Sequence, residues 1–135
     1  MAIDIRGLCP LLQVYDMPAS VRFYRDLLGF EVANHSPLLA TGSFHWALLR
    51  RNETELMLNT AYESNDERPP APNDARFAAH SDTVLYLGCP DVEEAYRQLR
   101  ALGLEVKEPH VAPYGMKQLD LIDPDGYHLC FQWPA

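Results

Sequence analysis

The side chains best suited to chemistry in this chain are three cysteines, Cys9, Cys89 and Cys130, and five histidines, His35, His45, His80, His110 and His128. A thiolate is a nucleophile and a soft metal ligand, and it forms at neutral pH only where a neighbouring base or positive charge lowers the thiol pKa. His128 lies two residues before Cys130, on the same face of any strand that holds both, so this pair meets the steric condition for an activated thiol. The histidines lack the HxH or HxxxH spacing of a two-ligand metal motif, and each reads as a surface or turn residue. The glycines are isolated, so no phosphate-cradling loop is present. The cysteines form no CxxC pair and are odd in number, which fits reduced thiols better than a disulfide framework. Cys89, before Pro90 at a strand exit, reads as structural.

Charge narrows the partners. A formal net charge of -8 over 135 residues, with Arg50-Arg51 as the one adjacent basic pair, disfavours a nucleic-acid backbone and suits a cationic ligand better. The first residues, Met1-Ala2-Ile3-Asp4-Ile5-Arg6, lack the charged-then-apolar run of a signal peptide, and no apolar stretch approaches the roughly 18 residues of a membrane span. The expectation is a cytoplasmic protein with no membrane or nucleic-acid partner. Hydrophobic residues at 47% and charged residues at 22% are an ordinary globular balance for one domain.

What must position these residues is a duplicated unit. With one single-residue gap, residues 9–32 align with 84–106, pairing Leu12 with Leu87, Asp16 with Asp91, Arg22 with Arg97, Arg25 with Arg100, Leu28 with Leu102, Gly29 with Gly103, Glu31 with Glu105 and Val32 with Val106. Each copy reads as strand, Asp cap, amphipathic helix, Gly stop and a second strand. The helical stripes are Val21, Tyr24, Leu27 and Leu28 in one copy and Val92, Ala95, Tyr96, Leu99 and Leu102 in the other, where Asp91 with Glu94 suggests a capping box. Strands over 44–51 and 54–60 flank a tight Asn52-Glu53 hairpin, and strands over 116–122 and 127–133 flank Asp123-Pro124-Asp125-Gly126. Strands over 30–35 and 105–111 complete each set. The predicted fold class is α+β, two βαβββ units forming cupped mixed sheets in a single domain over 1–135. The first unit spans 1–61, a polar, proline-bearing surface connection spans 62–82, and the second unit spans 83–135.

Tyr15-Asp16-Met17, Phe23-Tyr24-Arg25-Asp26-Leu27-Leu28-Gly29-Phe30 and Asp123-Pro124-Asp125-Gly126-Tyr127, set in a repeated βαβββ frame, resemble the vicinal oxygen chelate superfamily. That group holds glyoxalase I, extradiol dioxygenases, fosfomycin-resistance enzymes and bleomycin-binding proteins. The resemblance implies four His or Glu metal ligands on the first and last strands of the units, and these positions fall on Cys9, Met57, Val84 and Cys130. None is His or Glu, and Val84 has no donor atom, so the oxygen-and-nitrogen shell that polarises a substrate oxygen is missing. The chain is therefore similar to the metal-free bleomycin-resistance branch, which implies no cofactor, no catalytic residue and a pocket shared in a homodimer. Two cupped sheets also leave apolar edges that a two-fold partner would cover.

Period-two alternation then names the lining. Cys9 brings Leu11 and Gln13 to one face; Met57 brings Glu55 and Asn59, with Trp46 and Leu48 opposite across the hairpin. Val84 brings Tyr86, Cys130 brings His128 and Gln132, and Met116, Gln118 and Asp120 follow. Such an aromatic, thioether and amide surface with two carboxylates suits metal-independent binding of a small hydrophobic or cationic molecule, with drug sequestration as the role the resemblance implies. The competing expectations are a metal-dependent glyoxalase-like or dioxygenase-like enzyme using His128, Glu55 or Asp120, a soft-metal site on the sulfur ligands, and a thiol catalyst at Cys9 or Cys130.

Overall fold

The computed structural model describes residues 2–62, 64 and 67–135; Met1 and, within the predicted connection, Glu63, Asn65 and Asp66 lie outside the described residues. The chain divides into two compact units, Met1–Pro69 and Pro70–Ala135. The first contains β1 (Leu11–Val14), α1 (Met17–Val21), β2 (Glu31–His35), β3 (Trp46–Arg51) and β4 (Thr54–Thr60), and the second contains α2 (Asp74–Ala79), β5 (Val84–Gly88), α3 (Val92–Ala101), β6 (His110–Val111), β7 (Met116–Ile122) and β8 (His128–Pro134). The two sheets share one topology, β1-β4-β3-β2 and β5-β8-β7-β6, in which the first strand runs parallel to the last and the other pairings are antiparallel. This is the predicted α+β duplication.

Alternation drives both sheets. In the first unit Leu12, Val14, Ala47, Leu49, Leu56 and Leu58 are all at most 3% exposed, and α1 packs against β4 on that face. In the second, Leu119, Leu121 and Leu129 are buried and α3 packs against β7 and β8. Each fully buried aliphatic side chain contributes about 1.5–3 kcal/mol, enough for this pattern to fix the register. The helix starts also follow the sequence. Asp16 accepts a hydrogen bond from Ala19 N at 3.1 Å and Asp91 one from Glu94 N at 2.9 Å. The return half of the expected capping box is absent, because Glu94 instead engages Arg97 and Gln98.

Three local departures have physical causes. Beyond α1 the chain widens into π-type turns over Arg22–Leu27, closed by Leu28 N to Phe23 O at 3.2 Å, so Phe23 and Tyr24 both enter the core while Leu27 and Leu28 are half-buried. The expected strand over 105–111 shrinks to His110–Val111, since Pro109 has no N–H to donate and Glu105, Lys107 and Glu108 keep the preceding stretch solvated. The α3 stripe ends on Leu104 rather than Leu102: Leu102 is 55% exposed, while Leu104 N bonds back to Leu99 O at 3.0 Å around Gly103.

The predicted surface connection also contains structure. Asn73 caps α2, which leads into a 3-10 turn at His80–Asp82, and this segment docks on the Asp123–Tyr127 turn of its own unit. His80 stacks on Tyr127 at 4.0 Å and its Nδ1 lies 2.6 Å from Asp125 O. Asp123, 2% exposed, accepts from Asp125 N and Tyr127 N, each at 2.9 Å. Gly126 sits at φ +89°, where a Cβ would lie 2.3 Å from Phe77 O; Gly103 at φ +86° would meet nothing within 4 Å. The Gly103→Ala variant therefore loses about 1–2 kcal/mol, the left-handed penalty alone. Gly126→Ala is expected to lose clearly more in urea denaturation, and equal losses would contradict the Phe77 contact.

Candidate functional site

The strand registers bring the predicted residues into rows. In the first unit Leu11, Met57 and Leu48 align across three strands, Gln13, Asn59 and Trp46 form the next row, and Glu55 pairs with Arg50. Asn52 at φ 53° supplies the left-handed residue that the two-residue hairpin needs, and this fixes the pairing. Trp46, Leu48, Glu55, Met57 and Asn59 are half-buried, while Cys9, Leu11 and Gln13 are exposed. Arg50 was not foreseen, although its place opposite Glu55 is the signal that could have found it. Its Nη2 donates to Glu55 at 3.3 Å, so this carboxylate is already engaged.

In the second unit Val84, His128 and Ile122 form one row, Tyr86, Cys130 and Asp120 the next, and Gly88, Gln132, Gln118 and His110 a third. Met116 begins the strand beside Pro134. A hydrogen-bond network crosses these rows. Gln118 Nε2 donates to Tyr114 Oη at 2.7 Å and to Gln132 Oε1 at 3.0 Å. Tyr86 interacts with the Tyr114 hydroxyl, the first cause holding its own hydroxyl pKa above the usual value, followed by burial. Tyr114 was missed by sequence reasoning because it lies in the turn before β7, yet stepping back by two from Met116 reaches it.

The thiols are not activated. Burial first, then the Asp120 carboxylate, push the Cys130 thiol up to about 11. Burial and Glu55 raise Cys9, and burial raises Cys89. The neighbouring charge acting on Cys130 is thus an acid rather than His128, the opposite of what lowers a thiol pKa. A cavity of about 670 Å³ borders this region where β6 stops short, lined in part by Val106, His110, Asp120, Ile122 and His128. His110 Nδ1 is 3.8 Å from Asp120 Oδ2. Among the described residues no three His, Cys, Asp or Glu side chains cluster closely enough to hold a metal ion. The four positions implied for a metal therefore do not fit one: a protonated thiol, an exposed thiol, a thioether and a valine are poor partners for a hard divalent cation.

Residues 8–131 match the Glyoxalase/Bleomycin resistance protein/Dioxygenase superfamily, and the chain belongs to that family. No curated protein matches it. Solved structures share the fold, among them the following three. TnmS3, an antibiotic binding protein from Streptomyces sp. CB03234, is 21% identical with a TM-score of 0.69, the match covering 99% of this chain and 100% of that one. A bleomycin-binding protein complexed with bleomycin is also 21% identical with a TM-score of 0.69, over 97% and 100% of the two chains. A bleomycin resistance determinant encoded on the transposon Tn5 is 20% identical with a TM-score of 0.68, over 96% and 98%.

A folded-state thiol pKa near 11 against an ordinary 9.0 makes the protonated form part of the fold. Its stabilisation is complete below pH 9 and is lost as pH rises from 9 to 11, an effect of about 2–3 kcal/mol. Cys130→Ala removes this component, so the difference in unfolding free energy between the two proteins shrinks across that window. A difference independent of pH between 8 and 11 would show that Cys130 titrates normally.

Proposed function

We propose that the protein captures a small hydrophobic or cationic molecule without a metal ion, as a drug-sequestering binding protein. The observation that carries this reading is the donor set: Cys9, Met57, Val84 and Cys130 stand where the family resemblance places metal ligands, and Cys130 is held protonated. What the same sheet faces offer is stacking area from Trp46 and Tyr86, amides from Gln13 and Asn59, and the Asp120 carboxylate. Asp120, whose side chain is 64% exposed and faces His110 at 3.8 Å, is the more accessible of the two carboxylates, since Glu55 is paired with Arg50 and 41% exposed. The antibiotic-binding and bleomycin-binding neighbours support this direction at the level of the fold.

A homodimer belongs to the same reading. Ile3, Ile5 and Leu8 are 86%, 78% and 91% exposed in a segment with no secondary structure, and exposed aliphatic surface of this kind suits a second copy of the chain. The free cysteines fit a reducing compartment, the cytoplasm. No helix among the described residues is long and apolar enough to cross a membrane.

The test uses bleomycin and a planar organic cation titrated into the Trp133→Phe variant, in which Trp46 is the remaining tryptophan. Saturable quenching is expected, with Kd about tenfold weaker after Asn59→Ala or Met57→Ala, which neighbour Trp46 on its own sheet. Emission that stays unchanged across both ligands would remove the proposed capture. Dimer dissociation in the Ile3→Asp, Ile5→Asp double variant, read by sedimentation velocity, checks the assembly.

A further inference from the structure

The first unit carries a second cavity, of about 590 Å³, on the helix side of the chain and away from the sheet face discussed above. Its floor is one helical face, Pro18, Val21, Arg22, Arg25 and Asp26, completed by Val32 and His35 of β2, and its wall is the loop from Thr41 to Phe44. The wall is built rather than loose. Leu39 N donates to Ser43 O at 2.7 Å, Gly42 N donates to Leu39 O at 2.9 Å, and Ser36 Oγ accepts from both His45 N and Trp46 N. The His35 ring stacks on Phe44 with centroids 4.9 Å apart and planes 17° apart, and Nδ1 lies 2.7 Å from Ser36 O. If Nδ1 carries the proton it donates to that carbonyl, and Nε2 is directed elsewhere.

The charges are distributed unequally. Asp26 neutralises Arg25 through bonds of 2.8 and 3.4 Å, and among the described residues Arg22 has no salt-bridge partner. The cavity thus keeps one net positive charge in a protein of net charge -8. Arg22 is also where the helix departs from α geometry into π-type turns, a distortion often found at functional positions.

From these features we propose a binding site for a small planar organic anion. The carboxylate takes the Arg22 guanidinium, whose fork matches two oxygens, and the ring packs over the apolar residues beside the His35–Phe44 pair. Ser43 and Thr41 offer hydroxyls to a second polar group. The ligand is opposite in charge to that of the sheet-face site, so either site can fail without the other.

The probe is benzoate, with inorganic phosphate at equal ionic strength as the competitor, followed by amide and imidazole NMR shifts. Saturable shifts confined to residues 18–26, 32–35 and 41–44 are expected, with benzoate binding at least tenfold tighter than phosphate. Arg22→Gln and Phe44→Ala should each weaken benzoate at least tenfold, and Arg22→Lys, which keeps the charge and loses the fork, should weaken it less. Arg100→Gln, exposed on α3 of the other unit, serves as the control that leaves binding intact. Thermal melts confirm that each variant is folded. Binding unaffected by Arg22→Gln, or phosphate binding as tight as benzoate, would overturn the assignment.

Discussion

Strand alternation is the constraint on which the rest depends. Along β1, β3, β4, β7 and β8 the buried aliphatic groups Leu12, Val14, Ala47, Leu49, Leu56, Leu58, Leu119, Leu121 and Leu129 share one alternation phase, so the residues between them form the opposite face. A one-residue slip would expose Leu49, Leu56 and Leu58 and bury Arg50, Glu55 and Asn59 together. The cost of that exchange runs to several kcal/mol per layer, well above any local turn preference. The chemistry of the open faces is therefore inherited from the core, and the same logic repeats in the second unit through Leu119, Leu121 and Leu129.

Where short-range rules set the geometry, the sequence was readable in detail. Asn52-Glu53 and Asp123-Pro124-Asp125-Gly126 fixed two hairpins, and with them the alignments of Trp46 with Asn59 and of Asp120 with Cys130. Asp16 and Asp91 marked both helix starts, and Gly29 and Gly103, at φ +83° and +86°, marked both ends. What escaped was set by tertiary packing. The π-type widening at Arg22–Leu27 lets two adjacent aromatics, Phe23 and Tyr24, share the core with Phe30, which a 3.6-residue period cannot express. Helix α2 was hidden by the polar, proline-rich composition around it, and its reason for ordering is the distant Tyr127 turn. Tyr114 was invisible for a related reason, since a turn residue joins the site through its side-chain contacts with Gln118 and Tyr86.

The electrostatics set the sulfur chemistry. A thiol that is to react or ligate needs a cation or base beside it; Cys130 has a carboxylate, and Cys9 has Glu55. Burial first, and then these acids, stabilise the protonated forms, which leaves the sulfurs as soft, weakly polar groups. On the proposed reading these acids would face a positively charged guest, Asp120 more than Glu55 because Arg50 already holds the latter.

Metal independence is the central claim, and calorimetry with parallel elemental analysis tests it most directly. Bleomycin is titrated into protein stripped with chelator and into the same protein re-exposed to Zn, Ni, Mn or Fe. Capture by the sheet faces predicts saturable binding with equal Kd in every sample and less than a stoichiometric metal after dialysis. Binding or turnover that appears only with one equivalent of retained metal, and is lost in Cys9→Ala or Cys130→Ala, would contradict it.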